Sequence, residues 1–341
     1  VRDVFLNARF TVQALTGVQR FAQEITRELD RILPMTAIVP GRPLAGILGH
    51  AWEQAVLPWR ARGGVLVNLG NTAPLLYERQ VVVIHDAGVF ATPDAYSAKF
   101  RFWYRFVQRH LLRGRTRVVT VSAFSQSAIA TAFGCDAGRI TVIGEGAEHL
   151  ARVAPNWTVL ERNGLRPAGY VLAVGSLAAH KNLAALAATA TMLAMRGMDL
   201  VVTGGFAAGV FGDNRAGPPA GCRFVGRVDD AELRALYQGA ACFVFPSRYE
   251  GFGLPAVEAM TEGCPVVAAR AGSLPEVCGD AAVYCDPGDG ANIAQAVAVV
   301  LDDAMQRAAL AAAGQARVAG ITWAAAAARL RDAIIRCEEA P

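Results

Sequence analysis

Short apolar runs recur along this chain, each ending in glycine or small polar residues and each followed by a stretch with apolar positions three and four apart. A run with no polar face predicts a strand buried on both sides, hence a parallel sheet, and the wider spacing predicts the helices that cover it. In the first half the strands are predicted at 4–6, 65–68, 81–84, 117–122 and 140–143, and in the second at 170–176, 200–205, 222–228, 242–246 and 265–269. Phe21, Ile25 and Leu29 form the buried stripe of the first helix, with Thr16 as its N-cap. Serines from Ser122 onward cap another helix, and Asp229, followed by acids, caps a third; those acids mark a helix start rather than a metal site. From about 151 to 168 the periodicity is lost, which predicts a linker. After the strand at 265–269 the pattern predicts helices to the end, the last from Trp323 to Cys337 and long enough to leave its own domain.

At 341 residues the chain exceeds one comfortable core, so two α/β domains are expected. We place them at 1–158 and 165–320, with 321–341 a C-terminal helix returning to the first. A content of 53% hydrophobic and 18% charged residues fits well-buried α/β domains, and a net charge of +4 is too small for general nucleic-acid binding. No apolar run is long enough to span a bilayer, and Val1-Arg2-Asp3-Val4-Phe5 lacks the shape of a secretory signal. The expected location is the cytoplasm or the inner face of a membrane. Seven cysteines without a C-x-x-C pair argue for free thiols over disulfides or structural zinc.

The candidate chemistry centres on Arg248–Ala259, where a buried strand runs into Glu250-Gly251-Phe252-Gly253-Leu254-Pro255 and a helix carrying Glu258. Proline in the first helical turn and glycines before it predict a tight turn with backbone N–H groups facing a phosphate-bearing ligand. Glu250 in the turn and Glu258 one turn inside the helix can reach different hydroxyls of one ligand. Lys181, between the end of the 170–176 strand and a helix, suits a diphosphate; the alternative is an exposed lysine without function. His85-Asp86 ends the 81–84 strand, either as a structural cap or as a contact to a reacting sugar or its acceptor, and Thr16-Gly17 follows the first strand at another place where backbone can approach a ligand. Gly204, Gly205 and Gly209 do not fit G-x-G-x-x-G, which weakens a dinucleotide-dehydrogenase reading.

Residues 99–117 hold seven Lys and Arg, no acid and five aromatics. On a helix Arg101, Arg105, Arg109 and Arg113 fall four apart and repel one another, while Trp103, Phe106, Val107 and His110 occupy another face. This is either a solvated face over a core or a contact with anionic lipid or a phosphorylated acceptor.

Taken together these motifs, in this order over nearly the whole chain, resemble the family 4 glycosyltransferases. The resemblance implies the GT-B architecture, two facing Rossmann-like domains with a cleft between them, and a retaining, metal-independent transfer without a cofactor, the nucleotide-diphosphate sugar being the donor substrate. It implies that Glu258 holds the donor ribose and that Glu250, with the amides of Gly251, Phe252, Gly253 and Leu254, holds the transferred sugar and diphosphate. Lys181 would neutralise the leaving diphosphate. Gly17 would approach the phosphate when the cleft closes, Val225-Gly226 would lie near the base, and His85 and Asp86 would face the sugar or acceptor. Many relatives carry arginine where this chain has Ser176, and often before the lysine where this chain has His180, so positive charge falls more heavily on Lys181. Relatives opening with Thr-Gly-Val/Ile and carrying the His-Asp strand end often use GDP-mannose or related donors in bacterial surface polysaccharide synthesis, with saccharide or lipid-linked acceptors, which makes mannose the expected sugar and leaves UDP-glucose or a deoxysugar donor open. A sugar-nucleotide epimerase of the same architecture and a non-catalytic nucleotide-sugar or membrane-surface binding module are the alternatives.

Overall fold

Because Val65–Asn68, Gln80–Val83, Cys242–Phe245 and Val266–Ala269 are buried at every position, they can only be interior strands of sheets covered on both faces. The structure, a computed structural model, describes residues 3–13, 15–44, 46–205 and 219–339; Gly209 lies outside them. The described chain divides into two units. The first comprises residues 1–91, 98–145 and 323–341, and the second 92–97 and 146–322.

The first unit contains β1 (Val4–Asn7), β2 (Thr36–Ile38), β3 (Val65–Asn68), β4 (Gln80–Val83), β5 (Arg117–Thr120) and β6 (Ile140–Val142). They form one parallel sheet in the order β2-β1-β3-β4-β5-β6. Phe21, Ile25 and Leu29 of the Gly17–Leu29 helix are fully buried. Against this helix lies Trp323–Glu338, whose Trp323, Ala326, Ala327, Leu330, Ala333, Ile334 and Cys337 form one buried stripe. Trp323 meets Phe21 edge-on at 5.8 Å, and Arg329 donates to the Ile143 carbonyl.

The second unit contains β7 (Tyr170–Val174), β8 (Asp199–Thr203), β9 (Arg223–Gly226), β10 (Cys242–Phe245), β11 (Val266–Ala269) and β12 (Ala282–Cys285). All are parallel, in the order β9-β8-β7-β10-β11-β12. Read within the unit this is the 3-2-1-4-5-6 order, whose direction reverses between β7 and β10. Loops leaving those two neighbours diverge and open a crevice at the carboxyl ends of the strands, where such sheets bind ligands.

Four expectations are corrected. The stretch 151–168 is no free linker: it carries a helix at Thr158–Arg162, and Arg234 holds its start by donating to the carbonyls of Ala151 and Val153. It therefore packs within the second unit, whose main segment runs from Gly146. The chain beyond 269 is not all helical, since β12 adds an edge strand. Thr16 occupies the N-cap position in extended conformation without capping the helix backbone, its hydroxyl turning to Gln19 instead. The arginine row also breaks up: on the Ala98–Arg113 helix Arg105 turns inward, donating to the Val89 carbonyl at 2.7 Å with its guanidinium 4.3 Å above the Phe90 ring. Its proposed companion face likewise divides, with Val107 buried but Phe106 and His110 exposed. The caps at Ser122 and Asp229 form as expected, the latter as a full capping box.

Candidate functional site

The loop leaving β10 and the loop leaving β7 are fastened to each other. Asn182, in left-handed conformation (φ 57°), sends its amide to the carbonyls of Pro246 and Pro287, and the backbone N–H of Arg248 donates to the His180 carbonyl at 2.8 Å. This fastening brings together two residues 69 positions apart. Lys181 Nζ lies 2.8 and 3.0 Å from the two carboxylate oxygens of Glu250, and 5.6 Å from the centre of the Phe245 ring. Both side chains are largely buried, at 19% and 10% exposure, so each charge depends on the other.

A second contact fixes the backbone of Glu250. Gly272, at φ +60°, passes so close that an added Cβ would come within 2.8 Å of the Glu250 N and O. Ser273 donates to the Glu250 carbonyl from both its N–H and its hydroxyl. Gly253, the N-cap of the Leu254–Thr261 helix, has φ +100°, and a Cβ there would meet Leu274 Cδ2 at 2.6 Å. Both conformation and space therefore demand glycine at this position. Gly251, Phe252 and Gly253 are buried, while Leu254 at the helix start is half-buried.

Glu258 lies one turn into that helix, 6% exposed. Tyr237 donates its hydroxyl to Glu258 Oε2 at 3.0 Å, and His149 Nε2 lies 3.1 Å from Glu258 Oε1. Burial, reinforced by the Glu258 carboxylate, pushes the Tyr237 phenol well above its ordinary range, so it stays a proton donor. Neither residue carries a motif that would mark it in sequence.

At the end of β7, Ser176 is half-buried, and Gly204 at the end of β8 crosses so close that an added Cβ would lie 1.9 Å from the Gly175 carbonyl oxygen. These glycines serve strand packing, not a dinucleotide turn. Val225 is half-buried on β9, followed by Gly226 at φ +75°. Beyond it Arg227 lays its side chain across Gly205, a cation near the strand ends that the spacing did not reveal.

His180 supplies no charge at neutral pH. Burial, with the Lys181 ammonium next to it, lowers its pKa to about 4 against a smaller opposing pull from Glu250. The unfolded chain therefore takes up this proton first as pH falls. The contribution is fully present above about pH 6.5 and is lost as pH drops toward 4, worth about 3 kcal/mol in all. Thermal melts across pH 4 to 7 should show a slope that His180→Gln flattens; an unchanged slope would place the titration elsewhere.

In the first unit, His85 Nε2 meets the Leu69 carbonyl at 3.1 Å, its Nδ1 lies 3.7 Å from Glu145 Oε1, and Phe21 packs edge-on against the ring at 4.6 Å. His85 and Glu145 are both buried. Asp86 Oδ1 accepts the Gly88 N–H at 2.7 Å, so that carboxylate also shapes its own turn. Gly17 opens its helix with no atom within 4 Å of where a Cβ would stand. The second unit thus assembles Ser176, Lys181, Glu250, Glu258 and the glycine turn around one sheet reversal, while Gly17, His85 and Asp86 belong to the first unit.

Comparison with known proteins bears on this arrangement. The family pattern described as "Glycosyl transferases group 1" matches residues 168–303. O-antigen chain mannosyltransferase B of Escherichia coli is 34% identical over 261 residues, 73% of this chain and 68% of that protein. O-antigen chain mannosyltransferase RfbU of Salmonella typhimurium is 26% identical over 258 residues, 71% of this chain and 69% of that protein. Among solved structures, sucrose-phosphate synthase of Thermosynechococcus elongatus aligns over 100% of both chains with a TM-score of 0.76 at 19% identity, a likeness of fold.

Proposed function

We propose that this chain, which belongs to the group 1 glycosyltransferases and has their GT-B fold, transfers mannose from GDP-mannose to a saccharide or lipid-linked saccharide in surface polysaccharide synthesis, with retention of anomeric configuration. The observation that carries the reading is the pairing of Lys181 with Glu250 at the reversal of the second sheet, in the loop that leads into the helix carrying a buried Glu258. A cation, a sugar-hydroxyl acceptor and a ribose-hydroxyl acceptor are the groups a nucleotide-diphosphate sugar requires. Mannose rests on the two O-antigen mannosyltransferases above.

Breaking the anomeric bond leaves negative charge on the β-phosphate and positive charge on the sugar carbon. Lys181 would stabilise the first of these, and its low exposure supports the reading because the interaction is stronger away from water. Glu250 fixes the sugar hydroxyls, the acceptor hydroxyl attacks on the face the phosphate leaves, and the departing phosphate takes its proton. No covalent nucleophile is assigned; His85 and Asp86 are the first unit's candidates for contact with sugar or acceptor. Incubation with GDP-α-mannose and a lipid-linked saccharide should yield an acceptor extended by one α-linked hexose. A β-linked product would contradict retention, and sugar inversion within the nucleotide without transfer would favour the epimerase.

The first unit offers a surface for an anionic membrane. Lys99, Phe102, Phe106, Arg109, His110 and Arg113 are exposed on the Ala98–Arg113 helix. It packs beside Gly46–Arg60, His50 meeting Trp103 at 5.4 Å, and that second helix exposes Ile47, Leu48 and Trp59, with Arg62 over the Trp59 ring. Apolar side chains interleaved with cations suit a headgroup boundary. Among the described residues no helix is long and apolar enough to cross a membrane. Sedimentation should show binding to phosphatidylglycerol vesicles that falls with salt and with Arg109→Glu/Arg113→Glu; equal binding to phosphatidylcholine would contradict the electrostatic part.

A further inference from the structure

The carboxylate at the donor-ribose position has a buried protein group against each oxygen, a hydrogen-bond donor at one and an imidazole edge at the other. Tyr237, fully buried on the Asp230–Gly239 helix, donates to Oε2 at 3.0 Å. His149, 3% exposed, approaches Oε1 at 3.1 Å from the start of the 146–322 segment. Each carboxylate oxygen has two lone-pair directions, so the Tyr237 bond to Oε2 and the His149 contact at Oε1 fix the carboxylate while leaving acceptor capacity on both oxygens. Two oxygens presented side by side match the two hydroxyl donors of a vicinal diol.

We propose that His149 and Tyr237 are positioning residues that orient Glu258 to accept both hydroxyls of a donor ribose, making the site selective for ribonucleotides over 2′-deoxyribonucleotides. The inference rests on the nucleotide-sugar reading of the site. Its physical basis is preorganisation. A glutamate side chain has several rotatable bonds, and one that is free must surrender that freedom when it binds; Glu258 is already fixed before the ligand arrives. Losing either supporting group loosens the carboxylate without removing it, so the loss falls on the diol contact and spares base and phosphate.

The test is calorimetric titration of GDP and UDP, each beside its 2′-deoxy counterpart, against the full chain and three variants. Wild type is expected to prefer the ribonucleotide by about tenfold or more, the size of one hydrogen bond to a charged group. In Tyr237→Phe and His149→Phe that preference should shrink to within about threefold, by weakening the ribonucleotide more than the deoxynucleotide. His149→Gln, which keeps an N–H donor, should retain most of it. Tyr237→Phe removes a single hydroxyl and guards against loss of fold at His149, with thermal melts confirming that each variant is folded. A ratio unchanged in folded Tyr237→Phe and His149→Phe would overturn the proposal, as would a wild type indifferent to the 2′-hydroxyl. A wild type that binds none of the four nucleotides would instead remove the donor reading itself.

Discussion

Glu250→Ala is expected to lower sugar transfer about a thousandfold while the protein stays folded and still binds nucleotide diphosphate. The carboxylate does two things that respond differently to its removal. On the proposed reading it accepts sugar hydroxyl hydrogen bonds that hold the anomeric carbon in line for attack, and losing that alignment would cost the chemical step. Toward Lys181 it is the counter-ion, at 2.8 and 3.0 Å, and it competes with the diphosphate for the same ammonium. Without it the ammonium is fully available to phosphate, so GDP should bind as well as before or better. Steady-state kinetics with GDP-mannose, set beside GDP calorimetry, separate the two effects. Parallel loss of binding and turnover would mean that Glu250 only supports the fold, and normal turnover would remove it from the site.

Lys181→Ala should behave in the opposite way. Transfer should fall by about a hundredfold to a thousandfold, the usual cost of removing one donor to a developing oxyanion, and here nucleotide binding falls with it. The loss should be large for GDP and small for GMP if, as proposed, the ammonium serves the distal phosphate. Ser176 carries no charge and His180 is neutral above about pH 4, so on the proposed reading Lys181 is the cation here that meets the diphosphate. Lys181→Arg should recover part of the activity, since charge is kept while the compact ammonium is replaced by a planar fork. Equal losses of GDP and GMP affinity would place Lys181 away from the β-phosphate.

Why were some elements and partners readable in advance and others not? Strands such as Val65–Asn68 and Cys242–Phe245 are central, buried on both faces, and therefore written as unbroken apolar runs. The two unpredicted strands, Thr36–Ile38 and Ala282–Cys285, are the outer strands of their sheets and only partly buried, so their apolar signal is weak. The Gly46–Arg60 helix escaped for a related reason: it contains Pro58 and exposes Ile47, Leu48 and Trp59, which blurs any single apolar stripe. At the site, Glu250, Glu258 and the glycines between them are contiguous and could be read from their spacing. The residues that hold them could not. Tyr237 lies 21 positions from Glu258 and Ser273 lies 23 from Glu250, and His149 reaches Glu258 across most of the second unit's sequence. Only the folded sheet brings such pairs together, and a lone histidine or tyrosine carries no local signature of that role.

Acceptor-dependent nucleotide release across a donor panel tests the account most directly. GDP-mannose, GDP-fucose, UDP-glucose, UDP-galactose and a deoxysugar nucleotide would each be incubated with and without a lipid-linked saccharide acceptor, and free nucleotide measured. The account predicts release of GDP from GDP-mannose, greatly increased by acceptor and abolished by Glu250→Ala. Release from a UDP donor in preference to GDP-mannose would contradict the assigned donor, and no acceptor-dependent release from any donor would contradict the transferase reading of the Lys181, Glu250 and Glu258 site.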